Sequence, residues 1–451
     1  MRASCSAEAS VVVLNTCTVT ASADQDARAA IRRVRRINPL ANIIVTGCYA
    51  QRAPEELASL PGVSLVVGNS HKHELAGIAL GDACSRPVSQ GFVPLRQLGA
   101  VTSRDGSGPS IFVSDIFAHT DLVTAPVFDA ANERTRPNLK VQDGCDNRCS
   151  FCVIPYVRGH SRSLPLERIV REVNSLVESG YREVVISGIN LGRWGRDLRT
   201  PFVSSNPGFA AKPAPRFEDL IHSILAETSV EKLRISSVEP MDWSGELIAT
   251  VASSPRIAKH AHVPMQSGSD SVLRRMHRKY RPWHYRKKIQ MIHSAMPQAA
   301  IGADVMVGFP GETDPEFEAT LRMVEDLPFT YLHVFTYSAR PGTPASMMSD
   351  QVPVHIARER NRTLRELASA KKLVFMRGLV AQTLQAITLN VFGTGSGGEF
   401  TEALTDNYLK LRLLGHHAPN QWVNARVEDV VDGALTGHVA RTEFHEQSRP
   451  L

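Results

Sequence analysis

Short β-branched runs alternate with helix-length amphipathic stretches along most of this chain. The first run, residues 10–14, ends at Asn15-Thr16-Cys17, and the stretch after it carries Arg28, Arg32, Arg33, Arg35 and Arg36 at spacings that predict a helix. A second run, 42–46, ends at Gly47-Cys48. Two cysteines therefore follow the C-terminal ends of two successive strands, the edge at which open α/β sheets place their ligands. Burial as ordinary core thiols is the alternative, and their equivalent placement favours a shared site.

The alternation weakens between residues 81 and 135, where Gly, Ser and Pro are scattered, and this stretch is expected to be a linker with some strand content. It resumes past Arg136-Pro137. Strands are expected at 138–141, 183–187, 232–236, 261–264, 302–307 and 331–335, each separated from the next by a helix-length segment. That spacing predicts a parallel barrel or partial barrel with its active site at the strand C-terminal ends. The segments after those strands hold Gly188-Ile189-Asn190, Val238-Glu239-Pro240, Met265-Gln266-Ser267-Gly268-Ser269, Gly308-Phe309-Pro310-Gly311-Glu312 and Tyr337-Ser338-Ala339-Arg340. Glycine admits close approach of a ligand to the backbone, and the polar side chains can orient it. After a charged helix near 357–365, strands at 385–390, 409–413 and 422–427 between glycine turns predict a small all-β barrel, an architecture that often binds nucleic acid.

Composition adds little to this α/β picture. Of the 451 residues, 43% are hydrophobic and 21% charged. No apolar run approaches the ~20 residues a membrane span requires, so a cytoplasmic protein with no membrane partner is expected. A net charge of +6 is a mild push toward a polyanionic partner. The cysteines change the picture more. Three of the seven, Cys145, Cys149 and Cys152, form a CxxxCxxC triplet that offers three thiolates where an iron-sulfur cube has four irons, leaving one iron open to a small molecule. A zinc site would need a fourth ligand, for which His160 is the nearby candidate, and a disulfide would need an oxidising compartment for which the N-terminus carries no signal peptide.

With these residues assembled, the chain resembles the methylthiotransferase branch of the radical S-adenosylmethionine enzymes along nearly its whole length. Asn15-Thr16-Cys17-Thr18-Val19-Thr20 and Thr46-Gly47-Cys48-Tyr49-Ala50-Gln51 resemble the second and third cysteine motifs of that family's N-terminal domain. The run from Arg134 through Cys152, and on through Ile154-Pro155-Tyr156-Val157-Arg158-Gly159, resembles the subgroup acting on threonylcarbamoyladenosine in tRNA; the isopentenyladenosine subgroup usually reads differently at both places. The resemblance implies an N-terminal methylthiotransferase domain at 1–84, a linker at 85–135, a partial radical-SAM barrel at 136–370 and a C-terminal TRAM barrel at 376–441. It further implies a 4Fe-4S cluster on Cys145, Cys149 and Cys152 whose open iron takes S-adenosylmethionine. Reductive cleavage then yields a 5′-deoxyadenosyl radical that abstracts hydrogen from C2 of the target adenine. A second, auxiliary 4Fe-4S cluster, with Cys17 and Cys48 among its ligands, supplies sulfur, and another S-adenosylmethionine supplies the methyl group. An external reductant and sulfur donor are implied, neither identified by the sequence. Asn190, Gln266, Ser267 and Gly308 are candidates for cofactor contact by position, and no catalytic residue beyond the metal ligands is assigned.

The family pattern has a third auxiliary ligand, a Gly-Cys motif on a strand preceding the one at Val11. This chain starts too late to contain it, and Cys5 lacks its context, so a truncated N-terminus and an auxiliary site short of one ligand are expected. Cys84 matches no family ligand. Three functions follow from this: methylthiolation of threonylcarbamoyladenosine in tRNA, the same chemistry on isopentenyladenosine tRNA or a ribosomal protein, or tRNA binding by a radical-SAM protein without sulfur insertion. For tRNA contact the basic candidates are Lys410, Arg412 and Arg426, and the cluster Arg274, Arg275, His277, Arg278 and Lys279.

Overall fold

Thr20 opens the first long helix by accepting a hydrogen bond from the backbone N–H of Ala23. Asp24 in the first turn and Arg35 and Arg36 in the last complement the helix dipole. This helix, α1 (Ala21–Ile37), follows β1 (Val11–Thr16) and precedes β2 (Asn42–Gly47), as the hydrophobic pattern predicts. The computed structural model describes residues 5–80, 109–119, 122, 135–198, 213–395 and 398–440. They fall into two compact units. The first takes residues 1–123, 143–162 and 338–349, and the second takes 124–142, 163–337 and 350–451.

In the first unit, α2 (Cys48–Arg52), α3 (Pro54–Ala58), β3 (Val63–Gly68), α4 (Leu75–Leu80) and β4 (Ser110–Phe112) complete a parallel four-stranded sheet of order β1-β2-β3-β4. Ile43 and Val45 of β2 pack with Ile31 and Val34 of α1, while Ile44 between them packs with Val67 and Ile78. Successive residues thus bury opposite faces of the sheet. β4 supplies the strand content expected of the linker, most of which, like Cys84, lies outside the described residues. Two further segments belong to this unit. One carries the cysteine triplet and α5 (Ile154–Arg158); the other is held by Arg340, whose Nη1 donates to the buried Asp24 Oδ2 at 2.7 Å.

The second unit holds, among the described residues, six parallel strands in two sheets: β5 (Asn138–Lys140), β8 (Glu183–Ser187) and β9 (Lys232–Ile235), then β10 (His260–His262), β11 (Ala300–Val307) and β12 (Tyr331–Thr336). The two-residue strands β6 (Gln142–Asp143) and β7 (Arg162–Ser163) bracket the triplet in sequence. The sheets are joined where Ala258 N–H donates to Leu233 O (2.9 Å) and Val238 N–H donates to His262 O (3.1 Å). The result is the expected partial barrel, with α6 (Leu166–Glu178), α7 (Phe217–Glu227), α8 (Gly245–Ser253), α9 (Asp270–Arg275), α10 (Pro282–Ala295) and α11 (Asp314–Asp326) in the connections.

Helix α12 (Val354–Arg377) leads into a closed five-stranded barrel of β13 (Thr383–Gly395), β14 (Gly398–Thr405), β15 (Lys410–Leu414), β16 (Trp422–Val431) and β17 (Ala434–Val439). Met376 and Leu379, at the end of that helix and just beyond it, are buried with Leu411, Leu413 and Leu435 in the barrel core. Helix and barrel are therefore one packed object. Among the described residues no helix is long and apolar enough to cross a membrane.

Candidate functional site

The triplet lies on an irregular loop between β6 and α5, and Cys145, Cys149 and Cys152 are all half-buried. Gly144 enters the loop at φ +71°, where a side chain would overlap the His160 carbonyl oxygen. The Cys145 N–H then donates to Gly159 O at 3.1 Å, and Cys152 N–H closes a turn on Cys149 O at 3.1 Å. Asn147 N–H points at Cys145 Sγ, 3.4 Å away. Backbone donors to sulfur of this kind stabilise anionic thiolates and tune a cluster.

Three half-buried cysteine thiols with backbone donors around them are a donor set that fits an iron-sulfur cube. His160 lies beside the same loop, with its Nδ1 2.9 Å from Asp146 Oδ1 and its ring meeting Phe117 edge-on.

Cys17 and Cys48 follow directly on two paired strand ends, since β1 and β2 are in parallel register with Thr16 opposite Gly47. Gly47, at φ +102° and ψ −160°, turns the chain in a region only glycine occupies readily. Cys17 is exposed and Cys48 is buried. The Arg158 side chain, from the helix after the triplet, donates through Nε to Cys48 Sγ at 3.1 Å and through Nη1 to Asp143 Oδ2 at 3.3 Å. Burial opposes the Arg158 charge, but Cys48 and Asp143 outweigh it and raise its pKa. One guanidinium thus ties the segment of the triplet to the second cysteine pair. Nothing in the sequence singled out that link.

The four positional candidates belong to the second unit, at the ends of its strands. Asn190 is buried, and its N–H donates to Gln142 Oε1 at 2.7 Å. Gln266 is buried at φ +62°, bridged to Val305, with its side-chain Oε1 lacking a hydrogen-bond partner. A buried amide oxygen left in this state suits a ligand donor. Ser267 directs its hydroxyl instead to Thr320 Oγ1 (3.2 Å) and accepts from Ser269 N–H (3.1 Å). Gly308, at φ +71°, donates its N–H to Glu312, and a side chain there would strike Ala357 Cβ at 2.6 Å. Ser267 and Gly308 therefore have packing roles of their own.

Three of the basic residues near 275 are engaged with carboxylates. Arg275 is bonded to both Glu316 oxygens, at 3.0 and 2.9 Å, Arg278 is buried against Glu239, and Arg274 pairs with Asp270 at 2.9 Å. In the C-terminal barrel, Lys410 is exposed and 3.7 Å from Glu402, and Arg412 lies over the Phe400 ring, 3.3 Å from Asp432. Sequence reasoning also missed a set of polar residues along the barrel interior, His260, His262, Asp304 and His333. Their signal was the i, i+2 spacing of His260 with His262 and of Tyr331 with His333, which puts each pair on one face of its strand.

The pattern of the radical SAM superfamily matches residues 139–324, and that of the uncharacterized protein family UPF0004 matches residues 2–68. Threonylcarbamoyladenosine tRNA methylthiotransferase MtaB of Bacillus subtilis (strain 168) is 34% identical over 90% of this chain and 82% of its own length. The enzyme of the same name from Aquifex aeolicus (strain VF5) is 35% identical over 90% of this chain and 88% of its own length. The tRNA-2-methylthio-N(6)-dimethylallyladenosine synthase of Novosphingobium aromaticivorans is 32% identical over 84% of this chain and 78% of its own length. Among solved structures, the radical S-adenosylmethionine methyltransferase TsrM from Kitasatospora setae, with cobalamin and a [4Fe-4S] cluster bound, superposes with a TM-score of 0.51 at 16% identity. It covers 75% of this chain and 66% of its own, a likeness of fold. With a third of its residues shared across most of both lengths, this chain belongs to the threonylcarbamoyladenosine tRNA methylthiotransferase family of radical SAM enzymes.

Proposed function

We propose that this enzyme places a methylthio group on C2 of threonylcarbamoyladenosine next to the tRNA anticodon, acting in the cytoplasm. The observation that carries the reading is the 34–35% identity to two enzymes of that name over nine-tenths of the chain. Cys145, Cys149 and Cys152 would hold a 4Fe-4S cluster, which when bound would supply the electron for cleavage of S-adenosylmethionine. The protein's part is to hold the three thiolates on a glycine-shaped loop and to stabilise their charge with backbone donors such as Asn147 N–H. Cys17 and Cys48, at neighbouring strand ends, would be two ligands of an auxiliary cluster, with Arg158 Nε donating to Cys48 Sγ. Gln266, with Asn190, is the side-chain candidate for holding S-adenosylmethionine, while Ser267 and Gly308 contribute backbone shape. Electrons and sulfur come from an external reductant and sulfur donor.

The test is anaerobic incubation with threonylcarbamoyladenosine-containing tRNA, S-adenosylmethionine, dithionite and sulfide, followed by nuclease digestion and mass spectrometry. The 2-methylthio nucleoside is expected. Conversion of dimethylallyladenosine tRNA with none of the threonylcarbamoyl substrate would reverse the substrate assignment.

A further inference from the structure

The second unit contains a cavity of about 750 Å³ that runs along the barrel interior from Arg136, ahead of β5, to Ser237, beyond β9. Its walls have two chemically distinct ends. At one, Arg136 and Arg234 share a single carboxylate, that of the fully buried Glu183. Arg234 uses its donors on Glu183 (Nε, 2.6 Å), Asp406 O (3.0 Å) and Thr405 O (3.4 Å). Arg136, which lines the cavity, is left with a loose 3.7 Å approach to the same carboxylate and a side chain that is 24% exposed. Two guanidinium groups facing one carboxylate leave one positive charge over, and an arginine cannot shed it.

At the other end, His262 is buried between Ser237 Oγ, 2.6 Å from its Nδ1, and Asp304 Oδ1, 3.5 Å from its Nε2. That Nε2 has no hydrogen-bond partner. His260, hydrogen-bonded to Tyr331 through Nε2 at 2.6 Å, also keeps an unpartnered Nδ1. Burial pulls the His260 and His333 pKa values down, so both rings are neutral and can accept hydrogen bonds. The flat rings of His260, Tyr331 and Tyr408 stack or tilt on one another along the wall, with centroids 4.7–6.0 Å apart. The cavity therefore suits a ligand with an anion at one end, hydroxyl or N–H donors further along, and a planar group to lie against aromatic rings.

We propose that this cavity receives the N6-threonylcarbamoyl side chain of the substrate adenosine, with Arg136 binding its carboxylate and the His262–Asp304 pair meeting its hydroxyl and N–H groups. The inference rests on the substrate reading above and makes Arg136 the residue that distinguishes a carboxylate-bearing side chain from an apolar isoprenoid one. Selectivity of this kind is strong because a mismatched ligand leaves buried polar groups unpaired.

The test measures affinity of the full-length protein for anticodon stem-loops carrying threonylcarbamoyladenosine, its carboxyl methyl ester, dimethylallyladenosine or plain adenosine. Wild-type protein is expected to bind the free acid about ten- to a hundredfold more tightly than the ester. Arg136→Gln is expected to lose that preference while its affinity for plain adenosine stem-loops shifts less than about twofold, and Arg136→Lys to keep part of it. The ester comparison leaves the protein untouched, so it decides the question even if the variants fold poorly. Equal affinity of wild-type protein for acid and ester would overturn the carboxylate site. Equal weakening of all four RNAs by Arg136→Gln would make Arg136 a backbone phosphate contact instead. A wild-type protein that prefers the dimethylallyl stem-loop would defeat the substrate reading itself.

Discussion

Replacing Gly144 by alanine tests whether the loop geometry, and not only its sulfur atoms, makes the cluster site. The residue sits at φ +71°, and an added Cβ would overlap the His160 carbonyl oxygen, with the His160 carbonyl carbon at 2.6 Å and Gly159 O at 2.8 Å. Real Cβ atoms do not sustain approaches under 3.0 Å, so backbone must move. The His160 peptide would have to retreat by roughly an ångström, against a tolerance of ~0.5 Å for a working ligand set. It has little room, since Gly159 is itself at φ +76°, close to Ile116 O. Left-handed strain for alanine costs about 1–2 kcal/mol, and removing the Cys145 N–H bond to Gly159 O costs about 1 kcal/mol more. The variant should therefore be about 2–3 kcal/mol less stable and bind substoichiometric iron. Anaerobic reconstitution with iron and sulfide counting, beside a thermal melt, is the assay. Wild-type iron content and an unchanged melt in Gly144→Ala would refute the reasoning.

Cys149→Ala, by removing one of three thiolates, should abolish both the visible iron-sulfur absorption and S-adenosylmethionine cleavage; undiminished cleavage would end the cluster assignment. Glu316 offers a pH test: burial pushes its carboxyl up, but hydrogen bonds from Arg275, Ser271 and Thr313 N–H outweigh this and hold it at about 2. Because that pKa is depressed, the stability it confers is present above the unfolded value of about 4.3 and lost as pH falls toward 2, so the melting temperature of wild type should drop more steeply from pH 5 to 3 than that of Glu316→Gln. Parallel melting curves would contradict it. Replacing Lys410, Arg412 and Arg426 together by alanine should flatten the slope of log tRNA affinity against log salt by roughly 0.7–0.9 for each phosphate no longer neutralised, and an unchanged slope would remove this barrel from the tRNA interface.

Candidate ligands were most legible where the signal is short-range: Cys145, Cys149 and Cys152 stand out by spacing, and Cys17 and Cys48 by following two runs that do form strands in parallel register. Long-range pairing was illegible. Arg275 and Arg278 look like surface charge in sequence, yet their carboxylate partners Glu316 and Glu239 lie 41 and 39 residues away. Ser267 has the composition of a ligand contact, but its hydroxyl is taken up by Thr320 on α11. The cavity lining was missed because each strand contributes only one or two polar residues, and only closure of the sheet gathers His262, Asp304 and His333 around one space.

The first unit is assembled from three separated stretches of chain, the last of them residues 338–349. Arg340 reaches Asp24 across 316 residues, and Ala345 N–H bonds to Ser150 O inside the cysteine loop. Ribosomes emit about 5–20 residues each second, so roughly ten to forty seconds separate emergence of the cysteines from that of the segment that buttresses them. The cysteine loop therefore gains its full set of backbone contacts only late in the synthesis of the chain.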